Sequence, residues 1–471
     1  MTKSLSIRNA LLDTIGTIAD RRSLLVYVVG GYVRDLVLGR EVRDMDVVVL
    51  GNGIEFAGMV AGEMKANLVT FPKFGTAMMT VGESKVEFVG ARKESYDRNS
   101  RKPAVAQGTL EDDLARRDFT VNAMAVSLNK ADRGTLIDPH GGQDDLKKKI
   151  LRTPLDPEQT FDDDPLRIMR AMRFAAQLGF SIDDRILRAA REMKDRLKIV
   201  SQERISEEFL KILMSPKPSA GLLPMHQTGV LEVVFPEMAR LSGVDQRKEH
   251  HHKDVFLHTV KVIDNISEHT QNVWLRMAAL MHDIAKPRTK AFKEGTGWTF
   301  HGHEEAGARM VKPLFRRMKF PLDHVPYVEK LVRLHLRPMA LVDEGVTESA
   351  VRRLLYEAGE EIDDLMCLCR ADITSKNPKL VSQVKGNYER VAQKMTEVEE
   401  KDRMRKWRPA LDGEEIMRVC GIEPGRVVGR LKQAVVDAIL DGKIPNEHDA
   451  ALNYLISIKD PILEQGESDK P

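Results

Sequence analysis

Residues 24–50 read Leu24-Leu25-Val26-Tyr27-Val28-Val29-Gly30-Gly31-Tyr32-Val33-Arg34-Asp35-Leu36-Val37-Leu38-Gly39-Arg40-Glu41-Val42-Arg43-Asp44-Met45-Asp46-Val47-Val48-Val49-Leu50. The apolar run Leu24–Val29 stops at a glycine pair, which predicts a buried strand followed by a turn. Tyr32–Leu38 then reads as a helix and Met45–Leu50 as a second strand. Glycines between a strand and a helix let a phosphate approach backbone N–H groups at the helix start. Arg34 and Arg43 can add charge-assisted contacts. Asp44 and Asp46 are two apart at the start of a strand, so their carboxylates share a face. Paired carboxylates repel unless a cation lies between them, and an all-oxygen pair suits magnesium. By itself an Asp-x-Asp also fits a solvent-facing edge. A phosphate cradle just ahead of it points instead to two-metal nucleotidyl transfer.

Working outward, Thr76–Val81 and Lys85–Gly90 are further candidate strands, and Glu87 on the second is a candidate third carboxylate. Residues 1–22 read as a helix. In Arg116-Arg117-Asp118-Phe119-Thr120-Val121-Asn122-Ala123-Met124-Ala125, Asp118 and Asn122 are four apart, on one face of a predicted apolar helix. There Asp118 can accept from a ribose hydroxyl and the arginines can hold phosphates; a plain helix cap is the alternative. After Pro154 the strand signal nearly vanishes. Ten of the 13 histidines fall between His250 and His335.

The chain has 471 residues, which implies about three or four folding units. Its formal charge of +2 announces no global polyanion binder, so any basic patch is local. Three cysteines, Cys367, Cys369 and Cys420, complete neither a zinc site nor a disulfide framework and suit a reducing cytosol. No apolar run has membrane-spanning length, so a cytoplasmic protein without a membrane partner is expected.

These residues resemble a known family. Gly30, Gly31, Arg34, Asp35, Asp44 and Asp46 resemble motif A of class II tRNA nucleotidyltransferases and bacterial poly(A) polymerases, members of the DNA polymerase beta superfamily. Arg116–Ala123 resembles their motif B, Asp138–Leu146 their hinge motif C, and Asp163-Asp164-Pro165-Leu166-Arg167 their base-reading motif D. Glu203-Arg204-Ile205-Ser206 resembles the following neck motif. Motif D departs from the family pattern in starting with Asp163 where Glu is usual. On a helix, Asp164, Arg167 and Arg170 would form one stripe. Cytosine and adenine both present an amino group beside a ring nitrogen, so one Asp–Arg pair could read either. Further on, His258, His282-Asp283 and Asp372 resemble the HD superfamily of metal-dependent phosphohydrolases, and His303 and His335 could extend that site to a second ion. Imidazole with carboxylate suits manganese, nickel, cobalt or iron.

The resemblance implies an α+β protein: a nucleotidyltransferase head with a small mixed β-sheet over 1–150, a helical neck and body over 151–245, an HD metal-binding domain over 246–378, and a helical tail over 379–471. It implies template-independent transfer of CMP and AMP from CTP and ATP to the 3′ end of tRNA. The expected catalytic residues are Asp44, Asp46 and Glu87. The expected nucleotide contacts are Gly30, Gly31, Arg34, Arg116, Arg117, Asp118, Asn122, Asp164, Arg167 and Arg170. Poly(A) synthesis, or addition of CC or A alone, shares this chemistry. In another alternative the HD domain is a hydrolase acting on RNA ends and the head only binds RNA. In the tail, Arg403-Met404-Arg405-Lys406-Trp407-Arg408 could contact RNA phosphates or stack on a base.

Overall fold

The run Val26–Val29 is buried at every position and forms strand β1. Burial on both faces makes it a central strand, and the sheet is built around it. The structure is a computed structural model; it describes residues 4–42, 44–95, 104–244, 254–295, 297–343, 347–375, 377–402, 404 and 407–467. Arg43, the cluster His250–His252, and Arg403, Arg405 and Lys406 of the tail motif lie outside the described residues. The chain divides into two compact units, one of residues 1–240 with 318–320 and one of the remainder.

In the first unit, β1 is joined by β2 (Asp44–Val49), β3 (Asn67–Phe71), β4 (Thr76–Val81) and β5 (Ser84–Gly90). A hairpin of β6 (Arg92–Ser95) and β7 (Ala104–Gln107) follows, then β8 (Ala125–Ser127) and β9 (Leu136–Ile137). Seven of these form one sheet in the order β3-β4-β5-β2-β1-β8-β9. β2 and β5 pair in parallel, with Asp44 opposite Lys85 and Asp46 opposite Glu87. The other pairings in that sheet are antiparallel. One face buries Tyr27, Val29, Val48, Leu110 and Leu114. The helix Gly53–Met64 packs on β4 and β5.

The predicted N-terminal helix starts only at Ala10, where the Asn9 side chain accepts from the N–H groups of Leu11 and Leu12. An Asn cap satisfies orphan amides, and the polar residues before it add nothing to the buried face. The predicted apolar helix around residues 116–125 is absent. Thr120–Asn122 is a single 3-10 turn and Ala125–Ser127 is strand β8 beside β1. A short, fully buried apolar run reads as either element by periodicity alone, and here pairing with β1 decides.

Beyond residue 150 the first unit is helical, with Leu166–Leu178 packing on Gln202–Leu213 and Ser219–Gln227. In the second unit, helices Val255–Ser267, Val273–Met281, Val325–Leu334 and Ile362–Ala371 pack on one another, and His303–Arg317 packs on Val325–Leu334. Two short pairings interrupt the expected helical remainder, Ser181–Ile182 parallel to Ile150–Leu151 and Ala291–Lys293 antiparallel to Gly297–Thr299. The C-terminal helices Gly413–Cys420, Arg426–Leu440 and His448–Glu467 enclose their own core of Leu411, Ile416, Leu431, Val435 and Leu455. Trp407 packs against that core and meets Tyr356 edge-on at 5.1 Å, so packing occupies the indole that the sequence offered for base stacking.

Candidate functional site

At the end of β1 the chain turns through Gly30, at φ 72° and ψ −135°, into the helix Gly31–Val37. A Cβ at Gly30 would lie 2.9 Å from Arg117 Nη1 and 3.2 Å from Asp46 Oδ2. The bare backbone therefore leaves open the space between a guanidinium and a carboxylate. Asp44 and Asp46 project from one face of β2, and the parallel register sets Glu87 directly beside Asp46. Burial pushes the Asp46 carboxyl above its ordinary range; Arg117 pulls it back and Asp44 adds to the rise. Burial, then Asp46, raises Glu87 as well. Three neighbouring carboxylates, with Asp46 and Glu87 costly to ionise, fit a hard divalent cation.

The helix Leu110–Ala115 is fixed by a capping box between Thr109 and Asp112. It carries the fully buried Asp113, whose carboxylate holds both Arg116 and Arg117. Burial alone would raise Asp113, but the two guanidiniums hold it below the usual carboxylate range. Asp118 Oδ1 accepts from Phe119 N at 2.8 Å and Asn122 Nδ2 at 3.0 Å. Its Oδ2 lies 2.6 Å from Arg170 Nη2. Asp118 and Asn122 thus meet as the spacing predicted, although through a 3-10 turn. Arg34 donates to Asn122 Oδ1 and to Asp35.

The motif D stripe is not one helix face. Asp164 precedes Pro165, which bars it from helical backbone, and it sits extended at φ −144° and ψ 102°. Its side chain caps the next helix by accepting from Leu166 N, and pairs with Arg204 at 3.0 Å. Arg167 donates to the carbonyls of Thr160 and Arg116, and Arg170 turns to Asp118. These groups still converge. Every nucleotide-contact residue expected from sequence, together with Asp46, lines a single cavity of about 400 Å³, while Asp44 and Glu87 stand outside its lining. Leu166, Phe174 and Arg204 complete the lining and had no assigned role in the sequence reading. The signal for Arg204 was present in the neck motif that names it.

A second cluster lies in the second unit. His258 Nε2 is 2.9 Å from Asp372 Oδ1 and 3.3 Å from His282 Nε2. Asp283 Oδ2 is 3.2 Å from His282 Nε2, and its Oδ1 is 3.3 Å from His303 Nε2. Two groups result, His258 with His282 and Asp372, and Asp283 with His303 and His335. His282, His303 and His335 each direct Nδ1 to the backbone carbonyl three residues earlier, at 2.7 Å. That bond fixes the tautomer and leaves Nε2 as a lone-pair donor, the orientation a metal ligand needs. His303 Nε2 is buried, and its approach to Asp283 falls outside hydrogen-bond geometry. Burial would lower His282, but Asp283 and Asp372 hold it up at about 9, the mark of a site whose carboxylates favour a positive charge among them. Burial and the adjacent His282 push His335 down to about 4. Lys286, which the sequence reading passed over, sets its Nζ 2.7 Å from Asp283 Oδ2. The mixed donors fit one or two transition-metal ions.

Three stretches of the chain match known family models. Residues 26–152 match the poly(A) polymerase head domain. Residues 179–241 match a probable RNA- and SrmB-binding site of polymerase A, and residues 255–377 match the HD domain. A CC-adding tRNA nucleotidyltransferase of Thermus thermophilus is 32% identical over 441 residues, 90% of this chain and 92% of that protein. An A-adding tRNA nucleotidyltransferase of Deinococcus radiodurans is 32% identical over 349 residues, 72% of this chain and 78% of that protein. A solved complex of a CCA-adding enzyme with CTP superposes with a TM-score of 0.61 at 25% identity, covering 96% of this chain and 95% of that one. The chain belongs to the tRNA nucleotidyltransferase family, with a poly(A)-polymerase-type head and an HD domain.

Proposed function

We propose that this chain builds or repairs the CCA end of tRNA, adding CMP and AMP from CTP and ATP without a nucleic-acid template. The observation that carries this reading is the convergence of the Gly30 turn, Asp46, the arginines and Asp164 with Arg167 on one cavity. Asp44, Asp46 and Glu87 would hold magnesium, which when bound neutralises charge on the reacting phosphates. Arg116 and Arg117, braced by Asp113, face the triphosphate. Asp118 with Asn122 and Arg170 holds the ribose, and Asp164 with Arg167 reads the amino group and ring nitrogen shared by cytosine and adenine. The RNA 3′ oxygen bonds to the α-phosphorus as the bond to pyrophosphate breaks. Positioning and charge supply most of the rate.

The units of the reaction would be the head (1–150), the neck and body (151–245), the HD domain (246–378) and the tail (379–471), working in the cytoplasm. No helix among the described residues is long and apolar enough to cross a membrane. His258, His282, Asp283 and Asp372, extended by His303 and His335, would hold manganese, nickel, cobalt or iron and hydrolyse phosphoesters at RNA ends. A single half-reaction is the second reading, because CC-adding and A-adding relatives match at the same identity.

The test supplies magnesium, CTP and ATP to tRNA lacking its last three nucleotides, and to tRNA ending in CC. Completion of both substrates is expected. Extension of only one assigns a half-reaction, and a long A-tail overturns the assignment in favour of poly(A) synthesis. Asp44→Ala and Asp46→Ala should abolish addition while the protein stays folded.

A further inference from the structure

Between Lys286 and Phe300 the chain carries four cations, Lys286, Arg288, Lys290 and Lys293, against one carboxylate, Glu294. Most of that stretch is the hairpin Ala291–Thr299, in which Phe292 and Trp298 are direct cross-strand partners. Their rings meet edge-on at 5.3 Å. Even so, Phe292 is 57% and Trp298 44% exposed. Lys290 Nζ lies 4.4 Å from the centre of the indole.

The hairpin is rooted in the histidine cluster. One leg leaves Asp283 through Lys286, whose ammonium touches Asp283 and lies 5.7 Å from the Phe300 ring. The other leg ends at Phe300, whose carbonyl accepts from His303 Nδ1. Trp298 stands two residues of extended chain from Phe300, roughly 7 Å. Exposed aromatic faces beside lysines suit a nucleobase next to phosphates, since every base has a stackable face and every phosphate a charge. A cross-strand aromatic pair can also simply stabilise a two-stranded ribbon. That role does not call for the run of cations along the same segment.

We propose that the hairpin Ala291–Thr299 is a stacking arm that grips the terminal nucleobase of an RNA and presents its end phosphate to the histidine cluster. The proposal rests on the reading of that cluster as a phosphoester-hydrolysing centre. In the step served, a water oxygen bonds to phosphorus as the bond to the RNA 3′ oxygen breaks. That oxygen takes up a proton and inorganic phosphate leaves.

The experiment uses the full-length protein and a single-stranded RNA of about ten nucleotides ending in a 3′-phosphate. The first readout is Trp298 emission, isolated as the difference between wild type and Trp298→Phe. It is recorded also in the double variant His282→Ala with Asp283→Ala, so it does not depend on hydrolysis. RNA should quench that emission, and Phe292→Ala with Trp298→Ala should weaken RNA binding roughly tenfold. The second readout, with manganese bound, is the ratio of phosphate release from this RNA to that from glycerol phosphate, which should fall by a similar factor. Lys290→Ala with Lys293→Ala, which leaves the rings in place, should weaken binding and reduce its salt slope by about 1–2. Unquenched Trp298, or an unchanged ratio in the aromatic variant, overturns the stacking arm even if metal-dependent phosphate release from RNA persists. Quenching without phosphate release under any metal overturns the hydrolytic reading and leaves the arm as an RNA contact.

Discussion

A methyl group at position 30 is the smallest change the head site should refuse. Gly30 has a backbone conformation that side chains avoid, and its missing Cβ leaves room for both Arg117 and Asp46. Gly30→Ala should cost about 1–3 kcal/mol of head stability from backbone strain. It should also lower kcat/KM for nucleotide addition by more than tenfold, since the intruding carbon displaces the proposed metal ligand Asp46 and the proposed phosphate contact Arg117 together. Melting and steady-state assays of the variant check both, and near-normal kinetics would contradict the role given to this turn. Arg204 offers a second residue-level expectation. It pairs with Oδ2 of Asp164, so its loss leaves the carboxylate proposed to read the base held only by Leu166 N. Arg204→Ala should raise GTP and UTP misincorporation by about five- to tenfold, and Arg204→Lys by less. Unchanged selectivity would make the pair a surface ion pair and nothing more.

At the scale of elements, the short helix Leu110–Ala115 orders Arg116 and Arg117, the arginines proposed to face the triphosphate, through one buried carboxylate. Asp113 and Asp118 are both held below the ordinary carboxylate range, Asp118 because Arg170 and Asn122 outweigh its burial. A depressed folded-state pKa gives stability that is present above the unfolded value, near 3.9, and is lost as pH falls through the folded one. The head should therefore lose stability steeply below about pH 4, and Asp113→Asn should flatten that slope; scanning calorimetry between about pH 5 and 3 reads it. Such elements also show where the sequence was legible. β2, β4 and β5 were readable because each alternates or runs apolar between turn residues, so Asp44, Asp46 and Glu87 could be singled out, but the parallel register that pairs Asp46 with Glu87 could not. The 3-10 turn at Thr120 was not, because a buried apolar run carries no period that separates strand from helix. The extended Asp164 was readable from Pro165 alone, yet a three-residue spacing suggested one helical stripe. Its partner Arg204 lies forty positions away, beyond any local pattern. His303 and His335 were legible as an extension of the histidine site, but their grouping with Asp283, apart from His258, His282 and Asp372, needed the packed helices.

For the whole molecule, two compact units with different donor sets imply two metal responses. A ligand that binds only the folded state stabilises it by mass action, about 2.7 kcal/mol at a hundredfold excess over Kd. Manganese should therefore raise one unfolding transition of this chain, and the double variant His282→Ala with Asp283→Ala should abolish that rise while magnesium-dependent nucleotide addition persists. A single transition that moves with neither metal nor variant would count against a loaded HD site. The near-neutral charge of +2 leads to a related expectation for RNA. Binding should weaken with salt through a few local contacts, and a structured acceptor stem should be preferred to single-stranded RNA.

The parallel pairing of β2 with β5 has a kinetic consequence. Asp46 and Glu87 are neighbours only because the chain travels out through β3 and β4 and returns before the ladder closes. Such a crossover joins residues about forty positions apart and is slow to close compared with the β3–β4 and β4–β5 hairpins. During refolding, helical signal should return first and hairpins next, with the carboxylate triad assembled last. A chain caught midway would look largely native by far-ultraviolet dichroism and yet transfer no nucleotide.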